Sequence, residues 1–314
     1  QSPYFGVFKL LKKLWVISNY SCGTRLVPMI PVYLESLKRH EKWVVLPEEK
    51  KLLLSVSART VDRLLKHERR RISLRSRSRT KPGSLLKNQI PIRTFSDWKE
   101  EEKRPGFLEI DTVHHSGDSP KGEYLHSLST IDVFTGWSEC RAFMGKSERH
   151  TVEGLEIIRN RLPFPLLGID FDTGSEFVNY HLVRYSERNK ITYTRAREGY
   201  SNDQPYIEQQ NYSIVRTYVG YKRLDSLRQL RILNKLYAKL SDYQNFFQSV
   251  MRMKEKIRNG AHVTRRYSKA KTAYQRMLES PDISDQVKQK LKERYLTLNP
   301  KGLLEEIIEM ARKL

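Results

Sequence analysis

Three apolar stretches separated by two turn-forming segments constrain the fold of this chain more than any other feature. Residues 107–113 read as a strand, 117–122 as a turn and 124–132 as a second strand. Thr135 and Gly136 make another turn, and 137–143 a third strand. Connections this short join antiparallel neighbours. The period then changes. Residues 148–161 set Val152, Leu155 and Ile158 on one helical face. A short buried strand over 166–171, a helix over 176–187, a strand over 191–194 and a long helix over 203–219 follow. Three antiparallel strands and then alternating helices and strands predict an α/β core, a mixed five-stranded sheet with helices, its first strand central.

The flanks read differently. Residues 1–46 are mixed helical segments broken at Pro28 and Pro31. Pro47 suits the first position of a helix, and Glu48 and Glu49 suit its first turn. Ser57 is an N-cap for a second helix over 58–66. Val61, Leu64 and Leu65 face inward there, and Arg59, Thr60, Arg63 and Lys66 outward. A short helix, a tight turn and a basic helix suggest a helix-turn-helix, and two packed helices with a solvated basic face fit as well. Residues 66–81 hold eight basic side chains, including Arg69, Arg70, Arg71, Arg75, Arg77 and Arg79, against one acid, Glu68. That composition builds no core and reads as a linker whose charge suits phosphate contact. After Leu224 the chain reads as mainly helical. A second basic stretch there spans 254–271, and a last helix carries Leu304, Ile307, Ile308 and Ala311 on one face. The expected domains are 1–68, a linker 69–103, a core 104–224 and a C-terminal region 225–314.

The charge balance narrows the partners. Lys and Arg number 58 against 36 Asp and Glu, a formal net charge of +22, which marks a polyanion binder. No stretch is apolar and long enough to span a bilayer, so no membrane association is expected. Two cysteines, Cys22 and Cys140, give neither a disulfide framework nor a zinc pattern, which fits a reducing, cytoplasmic setting. The first residue is Gln1, so further residues are expected upstream.

Within the core, Asp111 closes an apolar strand, where a charge is costly unless it has a ligand. Asp172 opens Asp-Thr-Gly-Ser-Glu-Phe177, and Glu208 follows it with 208 − 172 − 1 = 35 residues between. Three hard oxygen ligands suit Mg²⁺. Asp170 reads as a structural acid, Glu109 as a group supporting Asp111, and Asp132 and Trp137 as turn and core residues. His115 fits either a structural histidine or a group that positions water or phosphate.

These residues carry a resemblance. Thr80–Gly83, Pro105–Asp111, Thr135–Trp137, Gly168–Phe177 and Asn202–Gln209 stand in the order and spacing of a known core. With them the chain resembles the transposases of bacterial insertion sequences that carry a retroviral-integrase-type catalytic core, the DDE superfamily. Thr173 and the segment Glu198-Gly-Tyr-Ser201 depart from the usual pattern of Asn and Pro-Tyr-Lys-Lys. The resemblance implies a ribonuclease-H-like core between an N-terminal helix-turn-helix domain and a mainly helical C-terminal region. It implies Asp111, Asp172 and Glu208 as catalytic residues and ligands of Mg²⁺, with Mn²⁺ able to substitute. Metal-dependent cleavage at transposon ends would free a 3′-hydroxyl that attacks target DNA. Arg59, Arg63, Arg69, Arg70, Arg71, Arg75, Arg77 and Arg79 would bind DNA. The partners are double-stranded DNA, both terminal repeats and target, and further copies of the chain in a homo-oligomer. The setting is the bacterial cytoplasm, at the nucleoid. A ribonuclease-H-like nuclease without strand transfer and a decayed relic that only binds DNA share parts of this pattern.

Overall fold

The computed structural model describes residues 3–72, 103–145, 147–171, 180–195, 207, 211–259 and 262–314. In chain order these form α1 (Phe8–Ile17), α2 (Gly23–Leu26), α3 (Ile30–Glu41), α4 (Pro47–Ser55), α5 (Ala58–Leu64) and α6 (Lys66–Ile72). The central part holds β1 (Phe107–His114), β2 (Leu125–Asp132), β3 (Ser138–Met144), α7 (Glu148–Arg159), β4 (Gly168–Phe171), α8 (Tyr180–Asn189) and β5 (Thr192–Arg195). A π-helical segment, Asn211–Arg216, runs on as Thr217–Val219. Then come α9 (Leu227–Phe247), β6 (Met253–Asn259), β7 (His262–Tyr267), α10 (Ala273–Glu279), α11 (Asp285–Thr297) and α12 (Pro300–Arg312). No described helix is long and apolar enough to cross a membrane. Two compact units divide the chain: residues 1–78, 242–276 and 290–304 in one, and 79–241, 277–289 and 305–314 in the other.

In the second unit the strands lie in the order β3-β2-β1-β4-β5. β1 pairs antiparallel with β2 and parallel with β4; β3 joins antiparallel and β5 parallel at the edges. This is the ribonuclease-H-like arrangement, and β1 is its central strand. Every residue of β2 is buried, as a strand covered on both faces requires. On one face Gly154 of α7 sits over Leu128 and Phe143, so closely that a Cβ there would lie 3.5 Å from the Leu128 side chain. On the other face Tyr237 of α9 reaches Ser127, and Asn234 holds the backbone of Ala142 through both amide atoms. Asp132 makes the β2–β3 turn: its carboxylate accepts from the Thr135 N–H and hydroxyl at 2.6 and 2.7 Å, and from the Gly106 N–H at 2.8 Å. Gly106 has a φ of 126°, and a Cβ there would come within 2.6 Å of the Pro165 carbonyl.

In the first unit α4 and α5 are joined by a two-residue turn. Ser57 caps α5 by accepting from the Thr60 N–H at 3.2 Å, and Glu49 accepts from the Leu46 N–H at the start of α4. Leu53, Val56, Val61 and Leu65 are buried, and Leu64 is half-buried. Gly23 packs directly on α5: its N–H donates to Asp62 at 2.7 Å, and a Cβ would lie 2.2 Å from the Ala58 carbonyl.

Residues 66–72, the start of the basic segment, form the helix α6, and none of its residues is buried. In the mainly helical C-terminal region α9 ends at Phe247, and basic residues beyond it form the antiparallel ribbon β6–β7.

Candidate active site

Asp111 stands on β1 with Glu109 two residues before it, so both share one face of the sheet. The Cα of Glu109 pairs with Asp170 on β4, which puts a third acid on that face. Glu109 and Asp170 are almost fully buried, and Asp111 is half-buried at the strand's later end. Each carboxylate has a defined donor. Glu109 Oε2 accepts from the backbone N–H of Ile207 at 2.9 Å, and Asp170 Oδ1 from the Thr194 hydroxyl at 2.7 Å. Asp111 Oδ1 accepts from the Thr112 N–H at 2.7 Å, and its Oδ2 from the Asn211 side-chain amide. Asp170 therefore holds β5 to β4, the structural part expected of it. Glu109 grips the chain beside Glu208.

Asp172 and Glu208 lie outside the described residues, and their immediate neighbours do not. Asp172 follows Phe171, whose Cα pairs with Ile110. Glu208 follows Ile207 and precedes Asn211 by three positions. The backbone or side chains of residues 109, 110 and 111 thus bind the segments that flank both other acids. Asn211 is a site residue that sequence reasoning missed. Its position, three residues beyond Glu208 in the sequence, is the signal that finds it. The Asn211 Oδ1 is buried with no hydrogen-bond partner among the described residues. A half-buried carboxylate and a buried amide oxygen side by side form the hard-oxygen chemistry that suits a divalent cation.

Beneath the end of β1 lies a polar chain. His115 is fully buried; its Nε2 meets the Ser127 hydroxyl at 2.7 Å, and that oxygen meets the Tyr237 hydroxyl at 2.6 Å. Burial first, and then the Arg216 charge and the neighbouring His126 and His114, push the His115 pKa down to about 3. The same burial raises the Tyr237 phenol well above its ordinary value. Arg216 donates to the carbonyls of His114 and Gly220 at 3.2 and 3.1 Å and lies over the Tyr221 ring. Burial lowers its pKa, and Asp111 is among the groups opposing that shift. The cation thus sits near the acidic end of β1 and locks the turn after the Asn211 helix.

Of the arginines expected to contact DNA, Arg59 and Arg63 are exposed on α5, and Arg70 and Arg71 on α6. Arg69 is engaged within its own unit: it pairs with Asp62 at 2.8 Å, donates to the Ser21 carbonyl at 3.0 Å and lies over Trp15. Arg75, Arg77 and Arg79 lie outside the described residues.

No protein-family model matches the chain. It is 38% identical over 261 residues to the "Uncharacterized protein y4rM" of Sinorhizobium fredii (strain NBRC 101917 / NGR234), a match covering 83% of this chain and 74% of that protein. Among solved structures it is similar to the HTLV-2 integrase catalytic core domain in complex with magnesium (dimeric form). There the identity is 15% and the TM-score 0.35, over 47% of this chain and 91% of that one.

Proposed function

We propose that this chain, which belongs to the family of the Sinorhizobium fredii protein y4rM, is a DNA transposase whose Asp111, Asp172 and Glu208 hold divalent metal ions. One observation carries the reading: residues 109–111 on the central strand bind the chain immediately beside each of the other two acids. Phe171 pairs with Ile110, Ile207 donates to Glu109, and Asn211 donates to Asp111. Acids 97 positions apart from first to last (208 − 111) thus belong to segments tied to one strand end. The order and spacing of the surrounding motifs support the finer assignment to transposition.

Mg²⁺, or Mn²⁺ in its place, would supply Lewis-acid stabilisation of the charge that develops at phosphorus. The protein's own groups do the rest. Asn211 fixes one oxygen of Asp111 and leaves the carboxylate oriented along the strand end. Glu109 fixes the backbone at Ile207, the residue that precedes Glu208 in the chain. In the first reaction water attacks a phosphodiester at the transposon end and the 3′-oxygen leaves as a hydroxyl. In the second that 3′-hydroxyl oxygen attacks a target phosphodiester, and the target's own 3′-oxygen leaves. One bond to phosphorus forms and one breaks in each, so no covalent protein–DNA intermediate is required. The α4–α5 pair and the basic segment after it would hold the terminal repeat, and two chains would hold two ends. The enzyme would work in the cytoplasm at the nucleoid.

The test is a labelled terminal-repeat duplex incubated with protein and Mg²⁺. Asp111→Asn, Asp172→Asn and Glu208→Gln are each expected to abolish nicking and strand transfer while DNA affinity stays within a few-fold of the parent. Retained nicking in any of the three removes that residue from the site.

A further inference from the structure

The ribbon β6–β7 is not used by the site described above. Among the described residues it forms a separate two-stranded sheet. Residues 253–267 contain Lys254, Lys256, Arg258, Arg265 and Arg266 against a single acid, Glu255. The register sorts these charges by face. Glu255 lies opposite Arg266, Ile257 opposite Thr264 and Asn259 opposite His262, so the ribbon's one acid falls on that face. On the other face Lys256 lies opposite Arg265, and Arg258 opposite Val263. Like charges directly opposite one another destabilise an antiparallel pair, and an isolated two-stranded ribbon is marginal in water to begin with. This ribbon therefore places three cations on one face at a cost to its own stability.

Its base is firmly held. The backbone of Val250 exchanges hydrogen bonds with Lys271 at 3.0 and 3.2 Å. Ser268 and Arg252 are joined by two more bonds, and the Arg276 guanidinium donates to the carbonyls of both Val250 and Lys271. Beside that base, at the end of β7, Arg266 and Tyr267 are exposed. A pinned base and a one-sided cationic ribbon form an arm. Duplex DNA fits it: the major groove admits a two-stranded ribbon, and phosphates along its walls would lie across the Lys256–Arg265 pair. We propose that β6–β7 is a DNA-binding arm that contacts the phosphate backbone of duplex DNA through Lys256, Arg258 and Arg265. The inference rests on the reading that the protein acts on DNA, but not on its catalytic chemistry.

Binding is read by fluorescence anisotropy with a labelled duplex of random sequence, in EDTA, across a series of salt concentrations. The triple variant Lys256→Gln, Arg258→Gln, Arg265→Gln is compared with Lys288→Gln, Lys290→Gln, Lys292→Gln, which removes equal charge from α11. Each phosphate contact contributes about 0.9 to the slope of log affinity against log salt, so the ribbon variant is expected to lose about 2.7 in slope. The α11 variant is expected to keep the parent's slope. Removing the like-charge pair is also expected to leave the melting temperature unchanged or raised, which separates lost contact from lost fold. An unchanged slope in the ribbon variant, or equal losses in both variants, overturns the proposal. Because EDTA removes the chemistry, a parent protein that binds through the ribbon but never nicks with Mg²⁺ would overturn the transposase reading and leave the arm standing.

Discussion

Acidification is expected to destabilise the unit that holds the five-stranded sheet through one histidine. His115 is fully buried, its Nε2 is engaged by Ser127, and its Nδ1 has no hydrogen-bond partner among the described residues. Arg216, His126 and His114 all oppose a positive charge there, and its pKa falls from 6.5 to about 3. The folded protein therefore keeps the ring neutral across a range where the unfolded chain protonates it. Above the unfolded value of 6.5 neither state binds the proton and the stability is intact. Between 6.5 and about 3 the unfolded chain holds one more proton, so stability falls with pH at about 1.4 kcal/mol per unit. Moving from pH 7 to pH 5 crosses 1.5 units of that window and removes about 2 kcal/mol. His115→Gln keeps a polar side chain beside Ser127 and removes the titration. Hydrogen exchange of the β1 and β2 amides, corrected for intrinsic rates, reads the opening free energy of this sheet. Carboxylates elsewhere add their own acid dependence to both proteins, so the informative quantity is the difference between the two drops. The parent is expected to lose about 2 kcal/mol more than His115→Gln over this interval. Equal drops would show that the ring is protonated in the folded state, or that the cavity admits water enough to solvate it.

Further predictions concern the candidate site and the α4–α5 pair. Asn211→Ala removes a hydrogen bond to a carboxylate, worth about 1.5–3 kcal/mol, so single-turnover nicking is expected to slow by about 10- to 150-fold. A loss under threefold would mean that Asp111 needs no orientation from Asn211. Arg59→Ala or Arg63→Ala is expected to lower the preference for the terminal repeat over random DNA by about 1–3 kcal/mol per lost base contact, measured by competition binding. Leu65→Ala, at a fully buried position, is expected instead to destabilise its unit by about 2–5 kcal/mol without altering that preference in the folded fraction. Full discrimination in both arginine variants would assign sequence reading to another element.

What the sequence made legible follows from how local each determinant is. β1, β2 and β3 fall within one or two residues of the expected bounds, because apolar runs and the turns at Gly117 and Gly136 are encoded locally. The Ser57 cap and the buried Val61 and Leu65 were readable for the same reason. β6–β7 was not, because its sequence shows no apolar alternation; Lys-Glu-Lys-Ile-Arg reads as a solvated basic stretch until the register is known. Nor does anything local mark the π-helical geometry of Asn211–Arg216, which inserts one residue per turn where Asn211 reaches back to Asp111. Such insertions recur at functional sites, where they re-aim a side chain at the cost of regular hydrogen bonding. The partner of Glu109 was hidden for a different reason. It is a backbone N–H at Ile207, 98 positions away, and no side-chain pattern announces a backbone donor. The candidate site at the strand end thus combines acids that the sequence displays with amides that only the fold reveals. Substituting Asn211 tests the second kind while leaving all three carboxylates in place.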